Sequence, residues 1–480
     1  MKQTGMKKLR AILLVPFMAL SIGCTSAYAK ETPTAAPEAV QSEAPASNET
    51  NDAGNSAVST TETNEYFTDR DMEQTPNLSE AKTLTMENGK DISITEEGIY
   101  VLKGTAKDVT VTVEAAKDAK VQIVLDSAVI TNSDRPCIYV KSADKVFVTT
   151  VSGSENTLAV TGEFTADGET NTDGVIFAKD DLVLNGTGNL TVTSSDNGIV
   201  SKDDLKITGG TIRITAENKG LDANDSIRIA DGTITIDAKD DGLHAEDNDD
   251  DTTGFIYILG GNLKVSCGDD AIHATTTLVI DGGTLDITGA EGLEATDITV
   301  NDGDITINAS DDGMNAGQKS NAYAMQITIN GGNIKINMGS GDTDAIDSNG
   351  NITVNGGTIN ITGPSAFDCD GKAVYNGGTI IVNGETVNAI TSQMMGGRGG
   401  KTGMRGGMEG QGTWGGMNGS EMPSDGMDGQ GSWGEMNGMQ GGRHGGMRPG
   451  MNGTTEGMPA QKGNELPSET SPETAEQKNV

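Results

Sequence analysis

A Gly-Gly or Asp-Gly dipeptide recurs through the middle of the chain, and each copy precedes a short segment of alternating apolar residues. Successive copies are separated by 20 to 29 residues. Periods of this size are typical of solenoid proteins, in which each repeat buries its apolar face against the next. The second residues of these dipeptides are Gly210, Gly232, Gly261, Gly283, Gly303, Gly332, Gly357 and Gly378.

One repeat, residues 208–229, contains three short groups of alternating apolar residues. Alternation with a period of two is typical of β-strands whose side chains point in turn into and out of a core. The sequence therefore predicts an all-β fold, a right-handed parallel β-helix over residues 75–390 with three short strands per coil. Acidic or polar insertions at residues 247–253 and 317–324 are predicted to form loops on one edge.

The segments that flank the predicted β-helix differ from it in composition. Residues 1–29 combine Lys and Arg with a short apolar run, as an export signal does. Cleavage after Ala29 and lipoprotein acylation of Cys24 are two alternatives for its processing. Residues 30–74 are rich in Ala, Pro, Glu and Thr and predict a disordered linker. Residues 391–480, which are Gly- and Met-rich with a polar acidic end, predict a disordered tail.

The composition excludes several classes of protein. The net charge of −37 opposes binding to nucleic acid and to anionic membrane surfaces. No further apolar run reaches the ~18 to 20 residues of a transmembrane helix, so a membrane would be contacted only through a lipid on Cys24. The other cysteines, Cys137, Cys267 and Cys369, are odd in number and fall in different coils, so no disulfide scaffold is expected. We expect an extracellular or cell-surface monomer.

A turn motif, acidic-Gly/Ala-apolar-x-Ala, follows the first strand of most repeats, for example as DGLHA from Asp241 and DAIHA from Asp270. Stacking of the coils places its residues in two columns, which we call the acidic ladder. The first column is Lys219, Asp241, Asp270, Glu291, Asp312 and Asp344; the second is Asp222, His244, His273, Glu294, Asn315, Asp347 and Asp368.

Carboxylates stacked at the ~4.8 Å spacing of adjacent strands repel one another unless a cation lies between them or they share protons. Two oxygens on opposite sides of a calcium ion, each bound at ~2.3 to 2.6 Å, are about that far apart. The acidic ladder therefore predicts Ca²⁺, with acidic turns that merely solubilise the surface as the alternative. His244 and His273 stack on each other and could instead bind a softer metal such as zinc, or simply form an outward column of imidazoles.

The third strand of each repeat presents its own outward column, which includes Arg228 and Tyr257, with Phe255 nearby. Aromatic rings on a flat sheet can stack on sugar rings, because they offer a large apolar area with a polar tip. These three residues are therefore the candidate carbohydrate contacts. Aromatic residues make up only 3% of the chain, so an extended stacking platform is not indicated.

The Gly-Gly-Thr strand followed by DGLHA and DAIHA turns resembles a clostridial-type family of secreted β-helix proteins, the carbohydrate-binding domain-containing proteins. The resemblance covers about residues 75–390, and the sequence differs from the motif at Lys219 and Ser365. It implies a fold like that of pectate lyases, calcium in acidic clusters, and binding of cellulose-like and acidic plant polysaccharides without clear catalysis. The calcium residues that it implies are Asp222, Asp241, Asp270, Glu291, Glu294, Asp312, Asp344, Asp347 and Asp368.

The leading functional hypothesis is a surface-displayed protein that binds polysaccharide and calcium and has no catalytic residues. One alternative is a lyase acting on uronic-acid polymers, which needs calcium and a basic residue. Lys219 is the candidate base, although a Lys among acids is more often a counter-charge. The other alternative is a structural adhesin or spacer whose solenoid sets a distance from the cell.

Overall fold

The repeats fold into a stack of coils in which each strand pairs in parallel with the equivalent strand of the next coil. The computed structural model describes residues 66–340 and 343–391. Each regular coil contributes three strands, so the predicted parallel β-helix is confirmed. A single turn of 3-10 helix, Leu78–Glu80, precedes the strands. The predicted signal, Cys24 and almost all of the predicted tail lie outside the described residues.

Three sheets run along the stack, which we name sheets A, B and C after the first, second and third strand of a repeat. Two long strands, β3 (Gly98–Lys107) and β5 (Lys120–Asn132), pass through both sheets A and C near the N-terminal end. The other strands of sheet A are β8 (Glu155–Val160), β11 (Asn189–Ser194), β14 (Thr211–Ala216), β17 (Thr233–Ala238), β20 (Asn262–Ser266), β23 (Thr284–Gly289), β26 (Asp304–Ala309), β29 (Asn333–Met338), β32 (Thr358–Thr362), β35 (Thr379–Val382) and the antiparallel β36 (Glu385–Val387).

Sheet B carries the short strands that follow the acidic turns. Its strands are β2 (Ile92–Ile94), β4 (Val111–Glu114), β6 (Ile138–Ser142), β9 (Gly174–Ala178), β12 (Asn197–Ser201), β15 (Leu221–Ala223), β18 (Leu243–Ala245), β21 (Ile272–Ala274), β24 (Leu293–Ala295), β27 (Met314–Ala316), β30 (Asp344–Ser348) and β33 (Ser365–Cys369).

Sheet C completes each coil. Its remaining strands are β1 (Lys82–Thr85), β7 (Lys145–Thr150), β10 (Asp181–Gly186), β13 (Asp204–Ile207), β16 (Ser226–Ile229), β19 (Phe255–Ile258), β22 (Thr277–Ile280), β25 (Asp297–Val300), β28 (Gln326–Ile329), β31 (Asn351–Val354) and β34 (Ala373–Tyr375).

The core is a continuous column of aliphatic side chains between the three sheets. In β14, Ile212, Ile214 and Ala216 are buried while the intervening residues are exposed, as the alternation predicts. The same positions stack from coil to coil, so that Ile212 pairs with Ile234 of the next strand in sheet A. Because each buried aliphatic side chain contributes about 1.5 to 3 kcal/mol, the repeated column is the main source of stability.

The recurring glycine marks the turn that leads into sheet A. All eight second glycines have positive φ, for example +89° at Gly210 and +97° at Gly283. A Cβ at Gly378 would lie 2.7 Å from the backbone of Gly356 on the preceding coil. Side chains are therefore excluded here both by the backbone conformation and by the close approach of coils.

The two insertions form loops on one edge of the stack, as predicted. Residues 247–253 connect β18 to β19, and residues 317–324 connect β27 to β28. Asn321 donates two hydrogen bonds to Asp251 Oδ2, from its backbone N at 3.1 Å and its Nδ2 at 2.9 Å. The loops therefore touch each other across the coils that separate them.

The prediction of a disordered linker is wrong for residues 66–74. This N-terminal segment lies against sheet C. Asp71 is fully buried, and its carboxylate lies 3.2 Å from Lys145 Nζ and 3.5 Å from Lys206 Nζ. Gln74 donates to the backbone oxygen of Thr208 at 2.9 Å. This polar clamp offsets the entropy of ordering the segment, which composition alone did not indicate.

The same segment covers part of the predicted carbohydrate surface. The Tyr66 ring stacks on Tyr257 with ring centroids 4.2 Å apart, and Phe67 packs beside them. Tyr257 is only 5% exposed, so its ring is not the outward-facing, accessible ring that the sequence pattern predicts for a carbohydrate contact. The apolar ring is covered because burial against another aromatic removes it from water.

Candidate functional site

The register of sheet B brings the acidic ladder together as predicted. Asp222 pairs with His244, His244 with His273, and His273 with Glu294 on successive strands. The second column continues through Asn315, Asp347 and Asp368. The residues of the first column are also stacked, because backbone hydrogen bonds join each acidic turn to the equivalent turn of the next coil. All nine predicted calcium residues therefore lie along one edge of the solenoid.

Lysine side chains neutralise much of the N-terminal half of the acidic ladder, which comprises Asp222, Asp241, His244, Asp270, His273 and Glu294. Asp222 lies 3.3 Å from Lys202, and Glu294 lies 2.6 Å from Lys319 in the second insertion loop. Lys219 forms ion pairs with Asp240, at 3.1 Å, and with Asp241. Burial opposes its charge, but the hydrogen bonds to these carboxylates raise the pKa of Lys219. This contact favours a counter-charge over the free base that a lyase needs.

The two histidines sit among carboxylates in this half. Nδ1 of His244 donates to Asp222 Oδ1 at 2.8 Å, and its Nε2 lies 3.1 Å from Glu246 Oε2. Nδ1 of His273 lies 3.0 Å from Asp270 Oδ2 and 2.7 Å from Glu294 Oε2.

These contacts shift the protonation equilibria of the groups involved. Burial opposes the charged imidazole, but hydrogen bonds to Asp270 and Glu294 raise the pKa of His273 to about 10. Burial alone would raise the pKa of Glu294, yet the hydrogen bond from His273 lowers it to about 2. The site around His273 therefore attracts positive charge strongly.

The C-terminal half of the acidic ladder, which comprises Glu291, Asp312, Asn315, Asp344, Asp347 and Asp368, has different electrostatics. Among the described residues, no Lys, Arg or His lies within ion-pair distance of Glu291, Asp312 or Asp347. Burial, together with repulsion from neighbouring carboxylates, raises the pKa of Glu291 to about 8 and that of Asp347 to about 7. Burial likewise raises the pKa of Asp312 to about 6. Such groups retain protons until a cation replaces them.

The donor set of this half fits calcium. Its side chains offer only carboxylate and amide oxygens, from Glu291, Asp312, Asn315, Asp344, Asp347 and Asp368. Oxygen donors in a flexible arrangement of several carboxylates are what Ca²⁺ prefers, and nitrogen donors are absent from this set. Asp222, Asp241, Asp270 and Glu294 differ from this set, because each of them has a Lys or His partner.

A cavity of about 360 Å³ lies beside sheet C, under the two insertion loops. Phe255 and Arg228, two of the three predicted carbohydrate contacts, line it together with Tyr323. Arg228 forms an ion pair with Asp204 at 2.9 Å, and its guanidinium lies 4.8 Å from the centre of the Phe255 ring. The remaining lining residues are Asp144, Asp181, Asp203, Asp204, Asp225, Thr252 and Thr253.

Sequence reasoning missed the acidic residues of this cavity. Burial and repulsion from neighbouring carboxylates raise the pKa values of Asp181 and Asp203 to about 6 each. The repeated KDDL sequence at residues 179–182 and 202–205 was the available signal, since its spacing is one coil. Tyr323 carried no such signal, because its position depends on how the second insertion loop folds.

The model of the carbohydrate-binding domain-containing protein family matches residues 88–345, which is more than half of the chain. The chain belongs to this family. A carbohydrate-binding domain-containing protein of Acetivibrio thermocellus is 44% identical over 195 residues, which cover 40% of this chain and 68% of the relative.

A solved structure described as a polysaccharide lyase-like protein from C. thermocellum, in a gadolinium derivative, is also similar. It is 33% identical, covers 45% of this chain and 85% of its own, and has a TM-score of 0.40. The family match supports the predicted resemblance, and the chain carries a carbohydrate-binding domain. In the described part of this family member, no helix is long and apolar enough to cross a membrane.

Proposed function

We propose that the protein is an exported, cell-surface polysaccharide-binding protein stabilised by calcium, and that the cavity beneath the insertion loops holds sugar units of the polysaccharide. The observation that carries the proposal is the lining of this cavity. It combines a half-exposed aromatic ring, Tyr323 at 40% exposure, with several carboxylates and the hydroxyl groups of two threonines. Sugar sites use this combination, because rings cover the apolar face of a sugar while polar groups orient its hydroxyls.

The charge of the cavity selects the kind of sugar. Among the residues that the structure describes, five aspartates line it, and Arg228 is the one basic lining residue. Carboxylates accept hydrogen bonds from sugar hydroxyls, whereas they repel the carboxylate of a uronic acid. The cavity therefore favours neutral units, as in a cellulose-like chain.

In this proposal calcium binds outside the sugar cavity, in the C-terminal half of the acidic ladder. Ions bound by Glu291, Asp312, Asp344, Asp347 and Asp368 would relieve the repulsion between coils and so stabilise the C-terminal half of the solenoid. Calcium that keeps part of its coordination open could also bridge to carboxylates of a uronic-acid polymer. The export signal, with cleavage after Ala29 or acylation of Cys24, would place the solenoid at the cell surface.

Substitution Tyr323→Ala should weaken binding to a soluble neutral β-glucan by about 10-fold, which corresponds to about 1.4 kcal/mol. The ring would no longer cover the apolar face of the sugar. Affinity electrophoresis in gels containing the glucan measures the effect. The matched control is Leu259→Ala, because Leu259 is similarly exposed at 37% and lies outside the cavity lining. Equal retardation of both variants and the parent chain would contradict the assignment of the cavity.

A further inference from the structure

Two imidazoles and a carboxylate converge in the N-terminal half of the acidic ladder. His244 on β18 and His273 on β21 occupy equivalent positions on adjacent coils, with ring centroids 5.0 Å apart. One donor atom from each of His244, Glu246 and His273 lies within 4.8 Å of the other two. We propose that these three residues bind a divalent transition-metal ion of the Zn²⁺ type, separately from the calcium ions of the C-terminal half.

The hydrogen bonds behind the rings orient them for metal binding. His244 Nδ1 donates to Asp222 at 2.8 Å, and His273 Nδ1 donates to Glu294 at 2.7 Å. Metal-bound histidines almost always donate their other ring N–H to a carboxylate in this way, which fixes the tautomer and the ring orientation. In both residues Nε2 is then the nitrogen that carries the lone pair for a metal.

The donor chemistry separates this site from a calcium site. Two imidazole nitrogens with one carboxylate suit zinc and its neighbours in the transition series, whereas calcium prefers oxygen ligands alone. Nitrogen and oxygen donors bind zinc at ~2.0 to 2.2 Å, so two donors of a tetrahedral site are about 3.3 Å apart. The Nε2 of His244 is already 3.1 Å from Glu246 Oε2, close to that separation.

The surroundings provide access and charge for the ion. Glu246 has 38% of its side chain exposed, so the ion can enter from the solvent side, and a water molecule can complete a four-coordinate site. Asp222, Asp270 and Glu294 hold the imidazoles from behind and add negative charge that offsets a dication. The metal takes the Nε2 lone pairs, so its binding displaces any proton carried there.

The test is titration of the full chain with Zn²⁺ alone as the probe, in excess Ca²⁺, against a chromophoric zinc chelator. Calcium occupies the all-oxygen sites, so that zinc reports on the histidine site. We expect one tightly bound Zn²⁺ per chain. His244→Asn and His273→Asn should each lower the affinity for Zn²⁺ at least about 10-fold. Removal of the carboxylates that hydrogen-bond metal-bound histidines already lowers metal affinity ~10- to 100-fold, and loss of a ligand should cost no less.

The chain contains its own control. His444, the third histidine, lies in the Gly- and Met-rich tail, and His444→Gln should bind zinc as the parent chain does. Glu246→Gln removes the half-exposed ligand without touching a buried group, and it should also weaken zinc binding. This variant keeps the test valid if a histidine variant fails to fold.

With Co²⁺ in place of Zn²⁺, visible absorption bands of a nitrogen-ligated ion should appear and be lost in the His273 variant. Zinc affinity equal to that of the parent chain in both His273→Asn and Glu246→Gln would overturn the proposal, as would the absence of stoichiometric zinc in the parent chain.

Discussion

Replacement of Asp71 by alanine should lower the free energy of unfolding by about 3 to 5 kcal/mol, the usual cost of removing one partner of a buried ion pair. The Asp71 carboxylate is fully buried between Lys145 and Lys206, which are themselves only 9% and 5% exposed. Without it the two ammonium groups repel each other in a poorly hydrated site. Lys145 retains Asp181 at 3.5 Å as a second partner, which limits the loss.

The measurement is urea-induced unfolding followed by circular dichroism. Lys264→Ala is the control, because it removes one partner of an exposed pair, Lys264 and Asp286, and such pairs contribute little. The Asp71 variant should also release residues 66–74, so that a protease cleaves this segment in the variant and spares it in the parent chain. A change in stability no larger than that of the control would contradict the role assigned to the segment.

The calcium-free chain should lose thermal stability as the pH rises from about 5 to about 8. In the folded state the pKa values of Asp312, Asp347 and Glu291 are raised to about 6, about 7 and about 8, above their ordinary values near 4. A raised pKa means that the folded state holds protons more tightly than the unfolded state. The stability from these groups is therefore complete below about pH 4 and is lost as the pH passes through the folded-state values.

Calcium should reverse this loss, because the ion replaces the protons that the carboxylates give up. Thermal unfolding in a chelator should show a midpoint several degrees lower at pH 8 than at pH 5, and added Ca²⁺ should raise the midpoint mainly at pH 8. Asp347→Asn should flatten the pH dependence in the chelator, whereas Asp237→Asn, at an exposed position in β17, should not. A midpoint that is independent of both pH and calcium would argue against the C-terminal calcium sites.

The fold was predictable because successive coils of a solenoid share the same sequence pattern. Each coil shows the same alternation and the same glycine, so one repeat assigns the strands of its neighbours and the register follows from stacking. For this reason the sequence alone predicts the column of Asp222, His244 and His273, and the strand register confirms it. The two insertion loops were also visible, since they interrupt the period.

What could not be predicted depends on contacts between parts of the chain that do not repeat. Asp71 pairs with Lys145, which is 74 residues away in the sequence, and no sequence pattern around Asp71 indicates that partner. The composition of this segment predicts a linker, and the outward column predicts an accessible Tyr257, whereas Tyr66 covers that ring. The cation Lys319 reaches Glu294 from an insertion loop, so the division of the acidic ladder into two electrostatically different halves also required the structure.

The most direct test of the account is affinity electrophoresis of the chain in gels that contain a neutral cellulose-like β-glucan or a uronic-acid polymer, with Ca²⁺ or with a chelator. We predict retardation by the neutral glucan under both conditions at a pH near 5, where the calcium-free fold is stable. Retardation by the uronic polymer should require calcium. Free migration through every polysaccharide, with and without calcium, would contradict polysaccharide binding and favour a structural spacer or adhesin.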